Sequence, residues 1–183
     1  LSGRLVIVRH ADTAWTVSGQ HTGRTDLPLT DDGIAKALRL RERLDAWTFT
    51  TVWSSPLVRA AETARLAGYE PITREDLVEW NYGDYDGLTS EQIRERRPDW
   101  DLWRDGCPGG ENAGDVARRA DAVIAALPPR GDALVFSHGH MLRVLSARWL
   151  GLQAVDGALF PLAPGGIGVL DHEQGRGVLR AWM

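Results

Sequence analysis

At 183 residues, 43% hydrophobic and 25% charged, the chain has the size and composition of one globular domain whose core needs neither metal nor disulfide. A net charge of −4 excludes the global basic field of a nucleic-acid binder, and no stretch approaches the ~20 apolar residues of a membrane span. The single cysteine, Cys107, excludes an internal disulfide, and the first residues show no charged-then-apolar leader, so the cytoplasm is the expected compartment.

The apolar run at residues 4–8 predicts a short, fully buried strand. Residues 11–29 hold turn formers without a period and read as a long loop over the strand's end. Thr30 is the expected N-cap of a helix with Ile34, Ala37, Leu38 and Leu44 on its inner face. A second strand is predicted near 51–54 and a helix over 57–67. Residues 84–110 are the least regular part, with a short helix at 89–96 stopped before Pro98, and a loop around Cys107 that supplies no base to activate a thiolate. Val116, Ala120, Val123, Ile124 and Leu127 mark one helical stripe, ended by Pro128-Pro129 and Gly131. A strand at 133–137, a helix at 140–150 that is apolar nearly all round, and strands near 166–171 and 177–182 complete the chain. This alternation predicts one domain over residues 1–183: a three-layer α/β/α sandwich around a mostly parallel sheet.

Chemistry concentrates where the predicted strands end. Arg9-His10 closes the run Leu5–Val8, Ser137-His138-Gly139 closes Ala133–Phe136, and Val52-Trp53 leads into Ser54-Ser55-Pro56 and Arg59. The carboxyl ends of strands are the ligand-binding edge of open α/β sheets. Two histidines and two arginines on that rim suit phosphoryl chemistry: nearby cations keep His10 neutral and nucleophilic, and stabilise the oxygens of the transferring group. Glu79, between apolar residues in Leu77-Val78-Glu79-Trp80, is placed where partial desolvation favours the neutral acid that protonates a leaving alkoxide. Each residue alone has a plain structural use, since imidazoles satisfy backbone groups well and glutamates are mostly exposed. Their weight comes from the combination.

Arg9-His10, the loop Ser18–Thr30 with Gly19-Gln20-His21-Thr22-Gly23-Arg24, Ser54-Ser55-Pro56-Leu57-Val58-Arg59-Ala60 and Ser137-His138-Gly139 follow in an order that resembles the histidine phosphatase superfamily, the phosphoglycerate mutase-like group, from residue 4 to about 150. The resemblance implies a phosphohistidine at His10, a phosphate pocket of Arg9, Arg59 and His138, and proton donation by Glu79. It implies substrate contacts from Thr16, Gln20, Thr22, Gly23, Tyr82 and Gly139, and neither metal nor organic cofactor. Three features depart from the mutases. Ala11 stands where the family usually has glycine, Thr16 replaces an asparagine, and residues 84–110 are too compact for the mutases' longer insertion. A more open site lets water take the phosphoryl group.

Glu79-Trp80-Asn81-Tyr82-Gly83-Asp84-Tyr85-Asp86-Gly87, Trp103-Arg104-Asp105-Gly106-Cys107 and His138-Gly139-His140 look most like the branch of sedoheptulose-bisphosphatase-like enzymes and acid phosphatases. Arg104 is then expected to reach a second phosphate or a sugar hydroxyl. His21 and His140 are expected as secondary rim contacts, Trp15 as a substrate wall, and His172 on the surface. The expected activity is metal-independent hydrolysis of a small phosphorylated metabolite. Its alternatives are a cofactor-dependent phosphoglycerate mutase and a non-catalytic phospho-ligand-binding module. Oligomeric state is left open.

Overall fold

In the computed structural model, which describes residues 3–183, the first buried strand, β1 (Leu5–Arg9), lies inside a six-stranded sheet. Its alternating residues serve two cores, as the two-residue period of a strand requires. Leu5 and Ile7 pack on one side with Val116, Val123, Met141 and Leu145, while Val6 and Val8 pack on the other with Leu40, Leu44 and Ala64. A run that is apolar at every position therefore means a strand covered on both faces.

The helices supplying those cores are α2 (Asp31–Leu44) and α3 (Val58–Leu66) on one face, and α6 (Ala113–Ala125) and α7 (Gly139–Trp149) on the other. Three shorter helices, α1 (Ala14–Ser18), α4 (Ser90–Arg96) and α5 (Leu102–Asp105), lie in the connecting segments. The remaining strands are β2 (Phe49–Ser54), β3 (Ile72–Thr73), β4 (Asp132–Ser137), β5 (Ile167–Glu173) and β6 (Arg176–Trp182). Their order is β3-β2-β4-β1-β5-β6. The first four run parallel, and β5 and β6 join antiparallel at one edge. This is the three-layer, mostly parallel architecture expected.

Local chemistry accounts for the differences from the expected elements. Thr13 and Thr16 form a capping box that winds α1 inside what reads as loop. Asn112 caps α6 four residues before its apolar stripe begins, by accepting from Gly114 N and Asp115 N. β3 is two exposed residues, too short to leave a period. His172 is half-buried against the Trp149 ring at 4.5 Å rather than on the surface, because β5 runs beneath the end of α7. Among the described residues no helix is long and apolar enough to cross a membrane.

One register sets up the site. β1 and β4 are neighbours with Arg9 opposite Ser137, so the residues that follow, His10 and His138, emerge side by side. Ser54 of β2 lies opposite Phe136, which brings Ser55 and α3 to the same rim.

Candidate active site

His10 is 3% exposed, and its Nδ1 lies 2.8 Å from the Ala11 carbonyl oxygen. A carbonyl only accepts, so Nδ1 carries the proton and Nε2 keeps its lone pair. Burial, and then the charges of Arg9 and Arg59, hold the imidazole well below its ordinary pKa. The ring faces His138 edge-on at 5.1 Å. The expected neutral nucleophile thus has a defined tautomer. Ala11, the departure from glycine, fits: its methyl is buried with Leu29 and Ala37, and its N–H donates to Thr63 Oγ1 at 3.1 Å.

Arg9 and Arg59 differ in their surroundings. Arg9 donates through Nη1 to the Leu162 carbonyl at 2.6 Å, while its buried Nε has no partner among the described residues. Gly139 lets this guanidinium lie close, since a Cβ there would sit 3.2 Å from Arg9 Cζ. Arg59 is fully buried behind His10. Its nitrogens donate to the carbonyls of Thr22, Gly23 and Thr25 and, through Nε, to His138 Nδ1 at 3.2 Å. That bond assigns the His138 proton to Nε2, which donates to Ser55 Oγ at 2.7 Å. Burial and Arg59 also push His138 well below its usual pKa. Arg59 and His138 therefore back the nucleophile rather than line the cavity in front of it.

Glu79 is 4% exposed, as its apolar neighbours suggest, yet its setting is more than a desolvated pocket. Oε1 accepts from Trp80 N and Met141 N at 2.8 and 2.9 Å, and Oε2 accepts from His140 N at 3.0 Å. Two of these N–H groups belong to the first turn of α7, whose N-cap residue His138 offers no side-chain bond. The carboxylate does the capping from another segment. Oε2, with a single N–H partner, is the oxygen with a lone pair left for a proton.

These groups open on a cavity of about 190 Å³ lined by Arg9, His10, Thr16, Gln20, Thr22, Glu79, Tyr82 and Gly139, with Trp15, Gly19, His21, His140 and Arg143. Of the expected substrate contacts, Thr16 and Gln20 reach this wall with their polar groups already engaged. Thr16 bonds the Thr13 backbone, and Gln20 bonds Gly87 O and Ser18 Oγ. Gly23 lies off the wall: its N–H donates to Asp86 at 2.6 Å, and a Cβ would meet the Trp80 carbonyl at 2.9 Å. Arg104 is a correction. Its side chain is 63% exposed on α5, turned back onto Asp105 and the Asp99 carbonyl, because the short helix points it away from the cavity.

Several contributors escaped the sequence reading. Arg143 reads as one charge in an apolar helix and Thr63 as an ordinary helix position, while Ser55 belongs to the strand-end piece Ser54-Ser55-Pro56 without a role of its own there. Tyr82 Oη and His140 Nδ1 lie 2.6 Å apart, and burial raises the phenol's pKa and lowers the imidazole's. His21, packed on Tyr82, is pushed down to about 4 by burial. The cavity mouth is knit by backbone bonds between two distant segments. His21 N donates to Leu88 O and Gly87 N to His21 O, at 2.9 and 2.8 Å, next to a bridge between Gln20 and Thr89. Among the described residues no group of three or more His, Cys, Asp or Glu side chains is placed to hold a metal.

Comparison with known proteins places this arrangement. An acid phosphatase of Mycobacterium tuberculosis is 40% identical over 181 residues, covering 94% of this chain and 88% of that protein. The sedoheptulose 1,7-bisphosphatase of Saccharomyces cerevisiae is 36% identical over 187 residues (83% and 69%). A 2,3-bisphosphoglycerate-dependent phosphoglycerate mutase of Methylobacterium radiotolerans is 37% identical over 161 residues (77% and 76%). The solved structure of the open reading frame Rv3214 of M. tuberculosis superposes with a TM-score of 0.95 at 38% identity, over 100% of this chain and 97% of that one. The family model for the histidine phosphatase superfamily (branch 1) matches residues 5–183, and with His10, Arg9, Arg59 and His138 gathered at one sheet edge the chain belongs to that superfamily.

Proposed function

We propose that the 183 residues act as one catalytic domain, a cytoplasmic phosphomonoesterase for small phosphorylated metabolites that works without metal through a phosphohistidine at His10. The observation that carries this reading is the His10 tautomer. With Nδ1–H bound to the Ala11 carbonyl, Nε2 presents its lone pair to the cavity beside an Arg9 whose Nε has no partner among the described residues. Nε2 attacks phosphorus in line, the P–O bond to the leaving group breaks, and Glu79 Oε2 delivers its proton to the departing oxygen. Water then attacks the phosphohistidine, giving its proton to Glu79 as the P–N bond breaks. Arg9 stabilises the equatorial oxygens directly. Arg59 acts from behind, by charge and by fixing the loop 22–25, and the neutral His138 acts by holding Arg59 Nε. The relative named for sedoheptulose 1,7-bisphosphate supports sugar phosphates as the substrate class, and the one named acid phosphatase supports phosphomonoester hydrolysis. The lone, buried Cys107 suits a reducing compartment.

The test is turnover and trapping. His10→Ala should lower kcat on p-nitrophenyl phosphate and on sugar phosphates by at least about 10³-fold. Acid-labile, base-stable label from a radioactive phosphomonoester should appear on wild-type protein only. Wild-type protein that keeps full activity in excess EDTA meets the metal-free part. Robust isomerisation of 3-phosphoglycerate, dependent on 2,3-bisphosphoglycerate, would instead assign a mutase, and binding without turnover would leave a phospho-ligand module.

A further inference from the structure

Glu79 lies on a buried stretch without regular structure, between one 3-10 turn that ends at Leu77 and another that begins at Gly83. Such a backbone has no ladder of its own, so its polar groups must be met by other parts of the molecule. Most of that task falls on Arg119, in the middle of α6, and on Glu111, just before that helix. Arg119 Nη1 donates to the carbonyls of Asp76 and Val78 at 3.0 and 2.8 Å, and Nη2 reaches the Glu79 carbonyl at 3.4 Å. The Nε–Nη2 edge of the same guanidinium holds both Glu111 carboxylate oxygens at 2.9 Å. Glu111 Oε2 in turn accepts from Asn81 N at 2.8 Å. Its backbone donates to Asn81 O at 2.8 Å and accepts from Trp80 Nε1 at 2.9 Å.

One ion pair therefore grips the chain on both sides of Glu79. It also reaches the other anchor of that carboxylate: Arg119 Nη1 lies 3.4 Å from Met141 Sδ, and Met141 N donates to Glu79 Oε1. Both side chains of the pair are mostly buried, yet neither lines the cavity. Desolvation offsets much of the Coulomb gain of a buried pair, so net stability is a weak reason for one. What a bidentate guanidinium–carboxylate pair supplies is geometry, because the planar fork fixes direction as well as distance. Geometry is what a proton donor needs, since a misplacement of about 1 Å costs a catalytic group about 10²-fold.

We propose that Arg119 and Glu111 are positioning residues for leaving-group protonation. They set where Glu79 Oε2 stands relative to His10, without touching substrate. This assignment rests on the phosphatase reading of the cavity and on Glu79 as its acid.

The test compares leaving groups through kcat/KM, which reports the steps up to phosphoryl transfer. Fructose 6-phosphate releases an alkoxide that needs a proton, and p-nitrophenyl phosphate releases a group that does not. Arg119→Lys keeps the charge and loses the fork. It should lower kcat/KM at least about tenfold on fructose 6-phosphate and less than about threefold on p-nitrophenyl phosphate. Added to Glu79→Gln, it should cost less than about twofold more on fructose 6-phosphate, because the group it positions is already gone. A merely structural pair would lower both substrates alike and add its full loss to that of Glu79→Gln. Either result overturns the proposal, as does an unchanged rate on fructose 6-phosphate or a Glu79→Gln loss that ignores the leaving group. Should Arg119→Lys fail to fold, Glu111→Gln decides by the same comparison: it keeps an oxygen for Asn81 N–H and gives up the charged grip on Arg119. Its loss should be at least about threefold and confined to fructose 6-phosphate. Failure of the phosphatase reading shows separately, as wild-type protein that hydrolyses neither substrate.

Discussion

The proton on His10 sits on Nδ1 because the Ala11 carbonyl is 2.8 Å away and accepts only, so the reactive lone pair is fixed before any substrate arrives. Burial and two guanidinium groups hold this ring's pKa well below 6.5. The active form is the deprotonated one, so lowering the pKa keeps it populated as pH falls. kcat/KM, corrected for the substrate phosphate's own ionisation near pH 6, should therefore stay level from pH 7.5 to below 6. A fall centred near 6.5 would mark an unshifted imidazole. The places of Arg9 and His10 at the sheet edge were legible because the apolar run Leu5–Val8 ends there, and the burial of Glu79 because it sits between Val78 and Trp80. Arg143 was not, since the helix around it is buried on nearly every side and nothing local marks that its side chain lines the cavity. Arg104 looked suitable by composition, but its direction depends on how a four-residue helix packs, which no period encodes.

Helix α7 begins without a side-chain cap of its own, and Glu79 supplies one from a segment some 60 residues earlier. Replacing it by glutamine turns an acceptor-only group into one that presents N–H to N–H. Glu79→Gln should cost about 1–3 kcal/mol of unfolding free energy in urea, through the lost charge-assisted bonds. The same variant separates capping from acid catalysis. If Glu79 protonates the leaving oxygen, kcat should fall by about 10²-fold or more on alkyl phosphates and far less on p-nitrophenyl phosphate, whose leaving group needs no proton. Equal losses on both would reduce Glu79 to a structural cap. At this scale the long elements were legible from their periods. α1, β3 and α5 were not, because capping boxes and two- to five-residue pieces carry chemistry without periodicity.

Four histidines share the rim, and His10, His138 and His140 all lie well below the ordinary value, with His21 near 4. In the unfolded chain each takes a proton near pH 6.5. Below that value the unfolded state binds protons that the folded state refuses, so stability is full above about 6.5 and declines as pH falls. The decline approaches about 1.4 kcal/mol per pH unit for each such histidine, down to its folded pKa. Urea unfolding at pH 7.5, 6.0 and 5.0 should show it, and an unchanged free energy would mean that these rings titrate freely. Activity and stability thus part company in acid: the nucleophile tolerates it and the fold does not.

The paired backbone bonds between residues 20–21 and 87–89 tie two stretches that are far apart in the gene into a single structural unit. Trp15 adds a side-chain clasp, since even a methyl at Gly87 would come within 3.0 Å of its ring. The two stretches therefore cannot diversify independently. A change of substrate range acquired through one requires a matching change in the other, and a recombinant that inherits them from different parents should lose the mouth while keeping the nucleophile.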